Sequence, residues 1–226
     1  LGKTRERRYA KPIGEYEKQF NIHIREMIEM IKHERVKTNL YVKAVKLSAH
    51  AFARMEEHFD ISNLATATKL AKDMLKHAVR IGTVLSYDGR INVLYAYRQT
   101  AFFLSPDLKT VVTVNKFQKV SYKPFMKIAK EGADRDTLLE MHFNLLREIE
   151  QKEEDQIRLI LSIEQKVREA NEQCTTMLKL IKGGGRKRSI KQLISEQNHQ
   201  LKMEGRKLFD LKIKKRHLCK SIVSLH

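Results

Sequence analysis

Lys46-Leu-Ser-Ala-His-Ala-Phe-Ala-Arg-Met55 decides how this chain is read, together with the later run Leu108-Lys-Thr-Val-Val-Thr-Val114. Ser48 stands just before a helical pattern. Its hydroxyl can accept a bond from an unpaired first-turn N–H, which predicts a helix over Ala49–His58. Asp60 or Ser62 is placed to cap a second helix over Asn63–Ala78. After Gly82 the period shortens. Thr83–Tyr87, Ile91–Tyr97, Thr100–Leu104 and Thr110–Val114 are rich in β-branched and aromatic residues, with turn chemistry at Asp88-Gly89 and Ser105-Pro-Asp107. The order predicts two helices leading into a four-stranded antiparallel meander.

Outside this stretch the chain reads as helix. Leu1–Lys11 is polar and basic and forms an arm. Pro12 suits a first helical turn, and Phe20, Ile24, Met27, Ile31, Tyr41 and Val45 recur at three- and four-residue steps, predicting an amphipathic helix over most of 13–45. Beyond a loop containing Pro124 and Gly132, Asp134 or Asp136 opens a long helix at its positive end. Leu138, His142, Leu145 and Ile149 set a seven-residue repeat. It resumes after a stutter as Ile160, Ile163, Val167, Ala170, Cys174, Met177 and Ile181.

Gly183-Gly-Gly185 ends that helix. A second seam then runs from Ile190 through Leu208, Lys215 and Leu218 to Leu225. Folded back at the glycines, the two helices make an antiparallel coiled-coil hairpin roughly 60 Å long at about 1.5 Å per residue. In this register Lys166 meets Glu204, Asp155 meets Lys215, and the acidic run Glu148–Asp155 faces the basic run Lys212–Lys220.

The formal charge of the 226 residues is +18, which makes a polyanion the first partner to consider, with nucleic acid ahead of a membrane surface. Segment charges are roughly +6 over 1–47, +4 over 48–119, −1 over 120–182 and +9 over 183–226. Cys174 and Cys219 are the only cysteines, too few for a disulfide framework, so a reducing cytoplasm is expected. No apolar run is long enough to span a bilayer, and the basic N-terminal segment is not followed by the apolar stretch of a signal peptide.

Ser48-Ala-His-Ala-Phe-Ala-Arg-Met55, a second helix after Asp60, and four strands ending in Thr110-Val-Val-Thr-Val114 resemble a small bacterial and phage domain family. Its hallmarks are a helix starting H-A-x-x-R-M and a last strand reading T-V-[IV]-T-V, and it is grouped on structural analogy with the RelE and BrnT toxins and contact-dependent-inhibition ribonucleases. The resemblance covers about residues 44–118. It implies a ribonuclease-like fold, with helices on one face of an antiparallel sheet and RNA on the other, and metal-independent RNA cleavage as the activity to look for.

Carried over by position, His50 and Arg54 match the helix motif and Thr113 the last-strand threonine. The chemistry is coherent, because cleavage through the RNA 2′-OH needs a proton-transfer group near neutrality and a cation at the crowded phosphate. The sequence departs from the pattern at His58, where members often carry Arg. A structural role fits the same residues: His50 and Thr113 bonding between helix and sheet, and Arg54 pairing with Asp60 or a carbonyl.

Arg98 and Lys116 are further nucleic-acid-binding candidates in the sheet region, and Arg186, Lys187 and Arg188 are candidates for anion contact at the hairpin tip. Gly183–Ser189 lacks the spacing of a phosphate loop. The nine histidines never fall at a metal-ligand spacing, so no metal and no cofactor is expected.

The expected architecture is α+β and mostly helical, with a basic arm and N-terminal helix at 1–43, an ααββββ domain at 44–118, a linker at 119–133 and the hairpin at 134–226. The leading functional expectation is RNA binding on a ribonuclease-toxin-like domain. The rival is a non-enzymatic protein of phage or mobile-element type that grips a protein partner, or a second copy, through the hairpin.

Overall fold

The computed structural model describes residues 40–86, 89–180 and 184–226. The N-terminal arm and nearly all of the helix expected over 13–45 lie outside them. The described residues divide between two compact units, one within Arg35–Leu159 and Arg206–His226, the other including Ile160–Gly205.

The first unit is built on a five-stranded sheet. A 3-10 turn at Val42–Ala44 leads into β1 (Lys46–Leu47), then α1 (Ala49–Phe59) and α2 (Leu64–Lys76). The meander follows as β2 (Val79–Leu85), β3 (Ile91–Tyr97), β4 (Thr100–Leu104) and β5 (Thr110–Lys116). Strand order is β1-β5-β4-β3-β2, with every pairing antiparallel except β1 on β5. The two helices and the last three strands thus stand where the residue pattern puts them, whereas the first strand starts at Val79, four residues before the expected Thr83, and contains Gly82. Tyr41 and Val45 do not continue a helix, because the backbone here is captured by β5: Lys46 N–H donates to the Lys109 carbonyl at 2.8 Å and Ser48 N–H to the Val111 carbonyl at 3.0 Å. Tertiary pairing overrides the helical spacing at these last two residues of the stripe.

Ser48 caps α1 as its chemistry requires, accepting from Ala51 N–H at 3.0 Å and donating from Oγ to the Val112 carbonyl at 2.9 Å. One hydroxyl therefore starts the helix and ties it to the sheet. The second helix is capped by neither Asp60 nor Ser62 but by Asn63, whose side chain accepts from Ala65 and Thr66 N–H. Asp60 instead closes α1 in the left-handed conformation, φ 55°.

The segment expected as a linker contains α3 (Lys123–Lys130), with Pro124 in its first turn, where the missing N–H leaves no bond unmade. Asp134, rather than Asp136, caps the first long helix, α4 (Arg135–Leu180), by accepting from Thr137 N–H at 2.9 Å. The second is α5 (Gly184–Leu225). No helix among the described residues is long and apolar enough to cross a membrane.

Both faces of the sheet are covered. On one, Val93, Tyr95, Phe102, Leu104, Val111 and Val114 pack with Ala51 and Met55 of α1 and Ala67, Ala71 and Leu75 of α2. On the other, Leu94, Ala96, Ala101 and Phe103 pack with Tyr122 before α3, Leu146 and Ile149 of α4, and Leu218, Cys219, Ile222 and Val223 of α5. Successive residues of β3 and β4 enter opposite cores, so neither strand has a wet side. The face that the resemblance leaves open for RNA is filled here by α3 and by the parts of α4 and α5 that belong to this unit. Each large side chain fully buried there contributes about 1.5–3 kcal/mol.

The predicted seam is apparent in both units. Leu138, Ile149, Leu208, Leu218 and Ile222 are buried in the first, and Ile160, Ile163 and Ala170 in the second. The antiparallel sense of α4 and α5 in the first unit follows from two pairs. Arg135 Nε donates to the Leu225 carbonyl, and His142 meets Ser221.

Candidate nucleic-acid interface

His50 lies in the first turn of α1 and is exposed. Arg54, one turn later on the same helical face, is partly buried and its guanidinium pairs with Glu57, not with Asp60. That bond holds the Glu57 carboxyl below its ordinary range. Glu57 therefore competes with a phosphate for the Arg54 charge, although the bond engages only Nη1 of the guanidinium.

Thr113 pairs across the sheet with Phe103, which packs in the core opposite α1. Cross-strand partners share a face. The sheet thus separates the Thr113 side chain from His50 and Arg54, and the three candidates do not converge. The bond between helix and sheet expected of His50 and Thr113 is made by Ser48 instead.

Arg98 and Lys116 do come to one end of the sheet. Arg98 and Gln99 form the two-residue turn between β3 and β4, where Tyr97 pairs with Thr100 and Thr100 with Lys116. Arg98 is exposed, its guanidinium carbon 5.2 Å from the centre of the Tyr97 ring. Lys116 is occupied in holding the fold: its ammonium donates to the His58 carbonyl at 2.8 Å and lies 4.1 Å from the Phe59 ring centre. A cation there complements the negative end of α1. His50 is at the other end of α1, about 12 Å away along the axis at 1.5 Å per residue. The side chains of Arg186, Lys187 and Arg188 lie outside the described residues.

The basic run of the C-terminal helix is partly internal. Glu153 of α4 pairs with Lys212 and, at 3.0 Å, with Lys215 of α5, while Glu150 reaches Lys215 at 3.1 Å. Asp155 is not in this cluster; it accepts from Gln151 at 3.1 Å. The expected facing of acidic and basic runs is present, but Lys215 meets Glu150 and Glu153 in place of Asp155.

The cluster lies over β2, where Lys215 also reaches Thr83 Oγ1 at 3.4 Å. Gly82 lets Glu150 come close, since a Cβ there would stand 3.3 Å from the Glu150 carboxylate. Burial by itself would push the Glu153 carboxyl up, but Lys212 and Lys215 outweigh it and hold it below the usual range. Burial likewise works against the Lys215 ammonium, yet Glu153 and Glu150 hold it above its ordinary value.

Nearby, Cys219 is buried and its thiol is pushed up to about 12 by that burial, which makes it inert at neutral pH. Among the described residues no three His, Cys, Asp or Glu side chains gather in a way that could hold a metal ion.

Four lysines are missing from the candidates that the sequence supplies. Lys43 of the 3-10 turn and Lys69, Lys72 and Lys76 of α2 line one open groove on the surface of the first unit. The spacing of 69, 72 and 76 is that of a single helical face, and this is the signal that could have found them.

No family model matches the sequence, and neither the curated proteins nor the solved structures contain a match.

Proposed function

We propose that this protein binds nucleic acid, RNA before DNA, on a domain of the ribonuclease-toxin type. The observation that carries the reading is the division of charge. Acidic residues of the run 148–155 are engaged internally with Lys212 and Lys215. Lys43, Lys46, Lys69 and Lys109 are exposed and form no ion pair among the described residues. Together with the +18 charge of the chain, this favours a polyanion at the outer surface of the helices and sheet edge, not between the sheet and its helices.

RNA cleavage is the active form of the same reading. His50 is the group suited to moving the 2′-OH proton and Arg54 the cation suited to the crowded phosphate, in competition with Glu57. Thr113 is not in reach of either.

Gel shifts with RNA and DNA at graded salt, followed by overnight incubation of RNA without metal, test both levels. Shifted complexes that weaken with salt support binding, and cleavage lost in His50→Ala supports the enzymatic form. Intact RNA after overnight incubation in several salts sinks the enzymatic form, and the absence of any shift at low salt sinks the whole reading.

A second reading, protein-partner binding through the long helices, is favoured by Leu193 and Met203 of α5, 48% and 40% exposed. Large apolar side chains exposed on a helix suit a partner. It predicts a specific protein recovered in pull-downs whether or not nuclease is added.

A further inference from the structure

The groove between the 3-10 turn and α2 combines charge with apolar lining, and the exposed residue Tyr41 immediately precedes it in the chain. It is open, with a volume of about 980 Å³, and among its lining residues are Val42, Lys43, Leu64, Lys69, Lys72 and Lys76. Four lysines face one carboxylate, Asp73, which is paired with Lys76 at 2.7 Å. Lys72 donates from Nζ to the Lys43 carbonyl at 2.8 Å, so it bridges the two walls and keeps two further N–H groups for another acceptor. Lys43 and Lys69 form no ion pair among the described residues.

Leu64 in the groove lining is 53% exposed, and Tyr41, next in the chain to the lining residue Val42, is 67% exposed. The Tyr41 backbone is held, since its carbonyl accepts from Ala44 N–H at 3.0 Å, and Val42 and buried Val45 anchor the turn in the first core. The backbone that carries the Tyr41 ring is thus held in place.

We propose that this groove binds single-stranded nucleic acid, with the backbone phosphates on Lys43, Lys69 and Lys72 and a base stacked on Tyr41. A basic groove that tracks the backbone beside an exposed aromatic is the combination that single strands use. A duplex offers the same phosphates but keeps its bases stacked inside, so it can use the lysines and not the ring. The inference rests on the nucleic-acid reading above and adds to it the surface and the strandedness.

The test is fluorescence anisotropy with a labelled single-stranded RNA oligomer, the same oligomer annealed to its complement, and anionic lipid vesicles. Wild-type protein, Tyr41→Ala and the double variant K43A/K69A are compared, with thermal melts confirming that each is folded. The expected result is tighter binding of the single strand than of the duplex, a roughly five- to hundredfold loss in Tyr41→Ala, and a salt slope lower by about 1.4 in K43A/K69A. Wild-type binding that neither change affects overturns this groove and leaves the nucleic-acid reading standing. Equal affinity for duplex and single strand overturns the strandedness. Binding to vesicles but to neither RNA, or no binding at all, overturns the groove proposal, and the nucleic-acid reading falls with it when DNA also gives no gel shift at low salt.

Discussion

Replacing Glu153 by Gln should cost this protein about 3 kcal/mol, because it removes the one negative charge that Lys212 meets in the interior. Glu153, Lys212 and Lys215 are 8%, 7% and 4% exposed, so water cannot take over the lost role. Lys215 keeps Glu150 at 3.1 Å, whereas Lys212 keeps no counter-charge, which places the effect at the lower end of the roughly 3–5 kcal/mol typical of a broken buried pair. For a chain of this size that corresponds to a melting temperature lower by about 6–12 °C, read by calorimetry. The double variant E153L/K212L should recover most of the loss, since an apolar pair leaves no charge stranded.

The pH dependence of the cluster has two limbs. The Glu153 carboxyl is held down, so its contribution is complete above about pH 4.3 and lost as pH falls through the folded value. The Lys215 ammonium is held up, so its contribution is complete below about pH 10.4 and lost as pH rises through the folded value. A melting temperature for Glu153→Gln within about 2 °C of wild type would refute the reasoning by showing that Lys212 is solvated or otherwise paired.

Ser48→Ala removes both the cap of α1 and its tie to the Val112 carbonyl, and a loss of about 1–2 kcal/mol is expected in thermal or urea melts; no loss would mean that the double bond of this hydroxyl contributes nothing. Gln99 has φ 61° in a turn whose other central residue, Arg98, has φ 44°, so Gln99→Gly should stabilise by about 1 kcal/mol by relieving left-handed strain, and a destabilised variant would contradict the turn.

His142 is fully buried, its ring 4.4 Å from that of Phe125, with Nδ1 donating to the Leu138 carbonyl at 2.5 Å and Nε2 accepting from Ser221 Oγ at 2.8 Å. Burial holds its pKa below the usual histidine value. The unfolded chain therefore binds the proton first, and stability should fall as pH drops below about 6.5. His217 and His226 shift the same way, so His142→Gln should remove part of that slope, and an unchanged slope would exclude His142 as a source.

Local features of the fold were legible because they are decided by neighbours in sequence. Ser48, Asp134 and the β-branched runs at Ile91–Tyr97, Thr100–Leu104 and Thr110–Val114 act within a few residues of themselves and are where their chemistry puts them. The first strand, by contrast, extends back to Val79 through Gly82, which the residue pattern places ahead of it. The edge strand was not legible, since β1 is two residues long and exists only by pairing with distant β5. The covering of the second sheet face does leave a mark in the sequence: Val93-Leu-Tyr-Ala96 and Ala101-Phe-Phe-Leu104 are unbroken apolar runs, which is how strands buried on both faces read.

The charge match between the long helices was legible as a facing of two runs but not residue by residue, because a one-turn shift along a helix keeps the seam and changes the partners. The candidate site was legible least. His50 and Arg54 share a face as their spacing requires, yet the face taken by Thr113 depends on the register of β5 against β4, including the irregularity between Phe103 and Leu104. Lys116 reads as a binding residue by its charge, and only the structure shows that its ammonium also bonds the His58 carbonyl at the end of α1.

Titration of the purified protein with labelled single-stranded RNA across a series of salt concentrations tests the central claim of nucleic-acid binding most directly. Contacts from three or more lysines predict that the logarithm of the binding constant falls linearly with that of salt, with a slope of about −2 or steeper. No measurable binding at low salt, or an affinity that does not change with salt, would contradict it.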